Sequence, residues 1–373
     1  MRFAVITHVE HKIVSGKIYA YAPYVREMNL WFKHVDEVDI VAPTSQGTPS
    51  DIEIAYQHDQ IHFETIPSIT FTSIKTSVLS VFKLPSILSA IFTMCQKADH
   101  IHLRCPGNIG LLGCLVQILF PKKTKTAKYA GNWDPRAKQP FTYKLQKWIL
   151  SNSVLTKNMQ VLVYGTWENQ SKNIKPFFTA SYSNSERERY QEKQYNYKLY
   201  FIFTGGIVKG KRPLLAIQII ETLNKKGYQA TLDMYGEGEL LSELTSYISD
   251  NQLQHVVSLK GNCSKAVIKN ALKSAHFLML PSKSEGWPKA VAEAMFFGVI
   301  PIATNISCVP NMLDFGQRGI LIEPNRSQAV KEIIAHLNEE ERLKQMSKAA
   351  LNWSQNYTLD VFEKEISKLL ISG

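Results

Sequence analysis

The sequence predicts an α/β protein built as two parallel-sheet domains, and three observations carry that expectation. Its 373 residues exceed what one ordinary core organises. Short apolar strand runs alternate with helical stretches from the first residues onward. The alternation breaks once, at the polar, charged run Ser181 to Tyr197, and then restarts. A hydrophobic content of 45% suits two buried cores, and no repeat or low-complexity stretch interrupts it.

In the first half, Arg2–Thr7, Glu37–Ala42, Gln60–Thr65, His100–Leu103, Lys125–Ala130 and Gln160–Tyr164 read as strands. Ala22–Phe32, Leu84–Gln96 and Phe141–Leu150 read as helices among them. The run holding Glu186, Arg187, Glu188 and Arg189 reads as an interdomain linker. Alternation resumes at Lys198–Phe203 and continues to about Pro324, and three helices follow: Ser327–Leu337, Glu339–Gln355 and Leu359–Ile371. The domains are therefore expected at residues 1–185 and 186–350, with 351–373 as a tail.

Composition narrows the class further. Met1–Thr7 is a short first strand rather than a signal peptide, because its apolar run is brief and no cleavage site follows. No run of about 18 apolar residues is expected in the chain, so no segment is expected to span a membrane. The longest candidate, Ile109–Phe120, contains Gln117. Cys95, Cys105, Cys114, Cys263 and Cys308 are scattered without metal-ligand spacing and read as thiols in a reducing cytoplasm.

The net charge of +11 is unevenly shared, with +8 in residues 1–185 and +3 in residues 186–373. No helix-turn-helix, zinc finger or aromatic RNA-binding signature points to nucleic acid. Apolar stretches stand beside lysines at Ile109–Phe120 with Pro121-Lys122-Lys123-Thr124-Lys125, and again from Lys75 to Lys83. That pairing suits peripheral contact with an anionic membrane surface. A buried helix with a solvated basic end gives the same pattern.

The most informative segment follows the strand-like run Ala275–Leu280. Pro281–Trp287 is a short loop, and Pro288 suits the first position of a helix that ends at Gly298. In a parallel sheet, such a helix start aims free N–H groups at the crevice beyond the strand. Glu285 and Glu293 flank that start. Carboxylates accept hydrogen bonds from sugar hydroxyls, and the helix start suits phosphate; a nucleotide sugar offers both. The spacing alone also describes a solvated helix face.

The wider pattern resembles one family. Glu285-Gly286-Trp287-Pro288-Lys289, then Glu293-Ala294-Met295, Gly298 and Pro301, look like the E-x7-E motif of retaining GT4 glycosyltransferases, which have the GT-B fold. Phe203-Thr204-Gly205-Gly206, Lys211-Arg212-Pro213, Met234-Tyr235-Gly236-Glu237-Gly238 and Leu280-Pro281-Ser282 match further family elements in the family's order, from Tyr200 to Pro324. The first half is matched only by its general pattern. The resemblance implies two Rossmann-like domains, an acceptor-binding first and a nucleotide-sugar-binding second, with the last helix packing back on the first.

It also implies roles for residues. Glu293 would accept the ribose hydroxyls and Glu285 would meet hydroxyls of the donor sugar. Lys211 would hold the diphosphate, while Gly286, Trp287, Pro288 and Lys289 line the sugar or phosphate. Gly205 and Gly206 would let the backbone approach the donor, and Asn262 and Cys263 stand where the family places the base. Gly206 occupies the position of a usual second cation, an arginine. Lys209 and Arg212 are the nearby substitutes. Gly236-Glu237-Gly238 reads as a tight turn rather than a ligand site.

In the first half, Gly16 stands where the family uses a glycine near the donor phosphate. His8, His11, Arg104, Asn108, Asn132 and Asp134 are acceptor-side candidates. Asp134 has two readings, as a group orienting or deprotonating an acceptor hydroxyl and as an ordinary turn residue before Pro135. The family's usual histidine is missing there.

The resemblance thus implies a transferase of hexosyltransferase type with a UDP- or GDP-type sugar donor. Its acceptor would be a glycan or a lipid-linked acceptor in cell-surface polysaccharide assembly, reached from the cytoplasm. No metal and no other cofactor are expected, since no Asp-x-Asp occurs and stabilising the leaving diphosphate is the main catalytic work. The rival reading is a non-catalytic nucleotide-sugar-binding or scaffold protein, motivated by Gly206 and the missing histidine.

Overall fold

Strand Arg2–Ile6 buries nearly every side chain, so it needs cover on both faces. The computed structural model, which describes residues 1–50, 52–70 and 73–371, supplies that cover. The side chains of Ile74 and Lys75 lie outside the described ones. Residues 1–177 group with the chain's end from Glu363, and residues 178–362 form a second unit. The division falls at Phe178, ahead of the expected linker.

The first unit is built on a seven-stranded parallel sheet. From Arg2–Ile6 the chain runs to one edge through Glu37–Pro43 and Ile61–Ile66. It then returns and runs the other way through His100–Cys105, Thr124–Tyr129, Met159–Tyr164 and Ile174–Phe177. Strand order therefore reverses between Arg2–Ile6 and His100–Cys105. Right-handed crossovers place helix Ala22–Phe32 on one face and Ile74–Lys97, Asn108–Val116 and Phe141–Ser151 on the other. Alternating side chains follow suit: Phe3 stacks on Trp31, while Ala4 and Ile6 join Ile87, Ile91 and Leu103.

Three features depart from the sequence expectation. Lys12–Val14 and Lys17–Tyr21 form an antiparallel hairpin that pairs with Glu53–Ala55. Its two-residue turn is Ser15-Gly16, both with positive φ (50° and 74°), so Gly16 serves a tight hairpin. The edge strand Ile174–Phe177 was also not legible. Finally, helix Ile74–Lys97 begins well before the expected Leu84, capped by Ser73, and continues through Pro85. Its stretch Thr76–Lys97 has 22 residues, with a mean hydropathy of 1.8 over an 18-residue window, and is long and apolar enough to cross a membrane by length and composition. That corrects the expectation that no such run exists. Ile87, Ile91, Met94 and Cys95 on its inner side belong to the core.

The second unit repeats the plan with six parallel strands in the order Val257–Gly261, Ala230–Tyr235, Leu199–Thr204, Phe277–Leu280, Ile300–Thr304 and Ile320–Ile322. Here the reversal falls between Leu199–Thr204 and Phe277–Leu280. This is the Rossmann-type strand order, and the chain has the GT-B fold. Helix Leu359–Ile371 begins in the second unit and ends in the first, where Glu363 pairs with Lys33 at 3.0 Å.

Several imidazoles sit in these cores. His11 is fully buried; its Nδ1 donates to Val9 O and its Nε2 accepts from the Tyr56 hydroxyl. His100 and His102 share the Thr126 hydroxyl, and His276 accepts the Tyr200 N–H at 3.0 Å. Burial pushes His11, His100 and His276 down to about 4, and holds His102 well below its ordinary value. Depressed pKa values mean that this stability is complete above the ordinary 6.5 and is lost as pH falls toward 4. Each such imidazole should cost on the order of 2 kcal/mol by pH 5. Urea unfolding at pH 7.5 and pH 5 checks this: the midpoint should fall sharply, and an unchanged midpoint would contradict it.

Candidate functional site

Ligands of open parallel sheets bind beyond the strands' carboxyl ends where strand order reverses. In the second unit, the two loops at that point are Gly205–Arg212 and Pro281–Pro288. Thr204 ends the first strand, and Lys209–Lys211 forms a 3₁₀ turn. Arg212, in the left-handed conformation with φ 50°, then caps helix Pro213–Lys225. Its guanidinium turns to the carbonyls of Pro281 and Ser282 at 3.4 and 3.5 Å, while Lys283 N–H donates to Gly210 O at 2.8 Å. One backbone bond and the Arg212 guanidinium thus lash one loop to the other.

Lys211 and Glu285, which are 74 residues apart, meet here at 2.5 Å. Glu285 is buried, and its N–H reaches the Ser307 hydroxyl at 3.4 Å. The Cys308 thiol donates to Gly286 O at 2.8 Å, fixing the same loop. Trp287 stacks on Trp353, whose other contacts include the Arg318 guanidinium at 5.0 Å. Pro288 caps the helix Lys289–Phe296 instead of opening it, a shift of one position. A lysine held by a carboxylate at a helix start is a site that exchanges one anionic partner for another, such as a diphosphate.

Gly236 explains its motif through close approach. A Cβ there would lie 1.9 Å from Gly205 O, so the loop beyond strand Ala230–Tyr235 can press on the Gly205 loop only as glycine. Ile207 N–H donates to Glu237 O, and Gly236 N–H to Gly261 O. Gly206 is different: its nearest neighbour to an added Cβ is Val208, at 3.7 Å. A side chain fits there. Lys209 is exposed in the adjoining turn, and Asn262 and Cys263 follow strand Val257–Gly261, two strands away from the reversal.

Glu293 points elsewhere. Its Oε1 accepts from the Ser181 hydroxyl at 2.5 Å, in a slot that Tyr182, Ser354 and Tyr357 also line. Glu285 and Glu293 therefore hold different partners. Burial raises the Glu293 pKa, with the Ser181 hydrogen bond opposing that rise.

The first unit has a cavity of about 300 Å³ at its own reversal point, lined by His8, Glu10, Ser68, Gly107, Asn108 and Tyr143 among others. The loop after Arg2–Ile6 and the turn after His100–Cys105 supply its walls. The His8 ring lies so close to Gly107 that a Cβ there would meet Nδ1 at 2.8 Å. His8 and Asn108 thus line this cavity, whereas His11 is committed to packing. Arg104 is likewise committed, paired with Glu27 at 2.5 Å and placed over the Tyr24 ring. Asp134 accepts the Arg136 N–H at 2.8 Å, and its own N–H donates to Asn132 Oδ1 at 2.9 Å, so both side chains brace the turn. Among the described residues, no three of His, Cys, Asp and Glu cluster as metal ligands, and all five cysteines are free thiols.

Sequence reasoning missed Glu10, Ser181 and Ser307. Glu10 was legible in principle, since it shares the loop that singled out His8. Ser181 is 112 residues from Glu293 and gives no local signal.

Comparison with known proteins bears on this geometry. Residues 184–353 match the family described as glycosyl transferases group 1. The stretch is similar to group 1 glycosyltransferase domains. It contains both loops at the second reversal point. An uncharacterized glycosyltransferase of Methanocaldococcus jannaschii is 26% identical over 50% of this chain and 51% of its own. A putative colanic acid biosynthesis glycosyltransferase of Escherichia coli K12, WcaL, is 26% identical over 42% and 41%. These matches span about half, or less, of the curated relatives. The Anabaena protein HepE, solved with UDP and glucose, covers 100% of both chains with a TM-score of 0.68 at 12% identity.

In this stretch Glu293 carries a stability cost. With its pKa raised, its contribution to stability is present at low pH and is lost as pH rises through that pKa. Glu293→Gln should therefore raise the melting temperature at pH 8 by a few degrees, with the gain vanishing near pH 4. Thermal scans across that range check this, and a lower melting temperature at pH 8 would contradict it.

Proposed function

We propose that the chain is a retaining glycosyltransferase that moves a sugar from a UDP- or GDP-type donor to a glycan or lipid-linked acceptor. The observation that carries this reading is the Lys211–Glu285 pair at the strand reversal, beside the helix start at Lys289. Lys211 takes the diphosphate and stabilises it as it leaves, which requires no metal. Glu285, released from Lys211, accepts hydroxyls of the donor sugar. Glu293 already accepts an alcohol from Ser181, and ribose hydroxyls offer the same chemistry.

Acceptor binding falls to the first unit's cavity, where His8 and Glu10 are the groups able to accept a proton from a hydroxyl. UDP and glucose bound to HepE support the donor class, and WcaL's role in colanic acid biosynthesis supports an acceptor in cell-surface polysaccharide assembly. An acceptor on a lipid carrier would place the enzyme on the cytoplasmic side, peripheral to the membrane.

Two outcomes test this reading. Incubation with UDP- and GDP-sugars, EDTA and an acceptor should give a product whose anomeric configuration matches the donor's. Glu285→Gln should lower turnover about 100-fold or more while nucleotide binding survives. Binding without turnover by the unaltered chain, across donors and acceptors, would favour the scaffold reading. Separately, Gly206→Arg should fold normally, because the space is open, and should bind nucleotide diphosphate more tightly. Calorimetric titration measures that change; weaker binding would show that no diphosphate lies near Gly206.

A further inference from the structure

The chain's positive charge is concentrated in one stretch. Residues 73–157 hold thirteen Lys and Arg against two Asp and no Glu, so they carry the entire net charge of +11. Both aspartates accept backbone N–H groups, Asp99 from Arg2 and Asp134 from Arg136. Among the described residues, Lys97, Lys122, Lys144 and Lys157 pair with no carboxylate, and all four are exposed.

The same stretch supplies the three helices that share one face of the first sheet, and their outer sides are apolar. On Ile74–Lys97, the exposed residues Val78, Phe82, Pro85 and Phe92 follow one helical stripe, with Phe82 80% exposed. Phe92 meets the Phe120 ring at 5.2 Å, directly before the turn Pro121-Lys122-Lys123. On Phe141–Ser151, Phe141, Lys144 and Trp148 share a face at helical spacing, with the two aromatic residues 77% and 59% exposed. Exposed aromatic and aliphatic side chains thus alternate with uncompensated lysines across one helical layer. An isolated exposed apolar residue means little, but a contiguous set marks a contact surface.

We propose that this layer docks on an anionic lipid surface. The stripe of Val78, Phe82 and Phe92 enters the headgroup boundary, Trp148 and Phe141 sit at the interface, and Lys97, Lys122 and Lys144 meet lipid phosphates. Helix Ile74–Lys97 lies along the membrane rather than through it, because Ile87, Ile91 and Cys95 hold its inner side in the core. A second copy of the chain is disfavoured as the occupant, since two such faces would repel each other. A nucleic acid would satisfy the lysines and leave the aliphatic stripe in water. A bilayer with anionic lipids satisfies both.

This docking deepens the proposed function by placing the enzyme beside a lipid-linked acceptor, yet vesicle binding needs no turnover, so either idea can fail alone. The test is co-sedimentation of the full chain with phosphatidylcholine vesicles, with and without phosphatidylglycerol, at low and high salt. Binding should require the anionic lipid and weaken with salt. Phe82→Ser with Trp148→Ser, and separately Lys122→Glu with Lys144→Glu, should each lower partitioning at least about tenfold, given about fivefold per lysine. Both variants should keep the melting temperature and transfer to a short water-soluble acceptor. Lys226→Glu, on an exposed turn of the second unit, should change nothing. No binding to anionic vesicles, or equal losses from Lys226→Glu, would overturn the proposal. So would a dimer that Phe82→Ser dissociates.

Discussion

Everything functional in this chain depends on where strand order reverses in its two parallel sheets. A parallel sheet grown outward from its first strand in both directions must leave two loops at the centre that diverge to opposite faces. The gap between them is fixed by the hydrogen-bonded backbone, independently of side chains. In the second unit those loops carry Gly205–Arg212 and Pro281–Pro288; in the first they carry His8, Glu10 and Gly107–Asn108. Side-chain chemistry decorates openings that topology had already made. The Lys211–Glu285 pair forms because its partners stand on adjacent strand ends, although 74 residues of sequence separate them.

The charged and glycine residues in and near the second unit's loops are costly in the free protein, each in its own way. Glu293 is desolvated beside Tyr182 and Tyr357, and only the Ser181 hydroxyl and nearby lysines counter that burial. Glu285 is buried but neutralised by Lys211. Gly236 must remain glycine so that one loop can press on the next. A protein selected for stability alone would fill these positions with apolar residues, so a binding function gives the retained charges their physical sense. The buried histidines tell another story, since their hydrogen bonds to Thr126, Tyr56 and Tyr200 satisfy packing and reach neither opening.

Much of this was legible in the residues. Apolar runs such as Phe277–Leu280 and Ile300–Thr304 announce buried parallel strands, and Glu285 with Pro288 announces a loop leading to a helix. What local pattern could not show was commitment. Arg104 follows a strand and looks ready for a ligand, but Glu27 and Tyr24 claim its guanidinium. His11 sits in the right loop and is consumed by Val9 and Tyr56. Ser181 was invisible because its meaning lies in Glu293. The helix Ile74–Lys97 runs ten residues ahead of the expected Leu84 and through Pro85, whose cost packing along the sheet overrides.

The most direct measurement is calorimetric titration of UDP, GDP and ADP into the chain and into Lys211→Met, with EDTA present. If the second reversal point is a diphosphate site, one nucleotide binds selectively, and Lys211→Met weakens it about tenfold or more, about 1.4 kcal/mol. Equal affinity in both proteins, or no affinity for any nucleotide in the unaltered chain, would contradict the account.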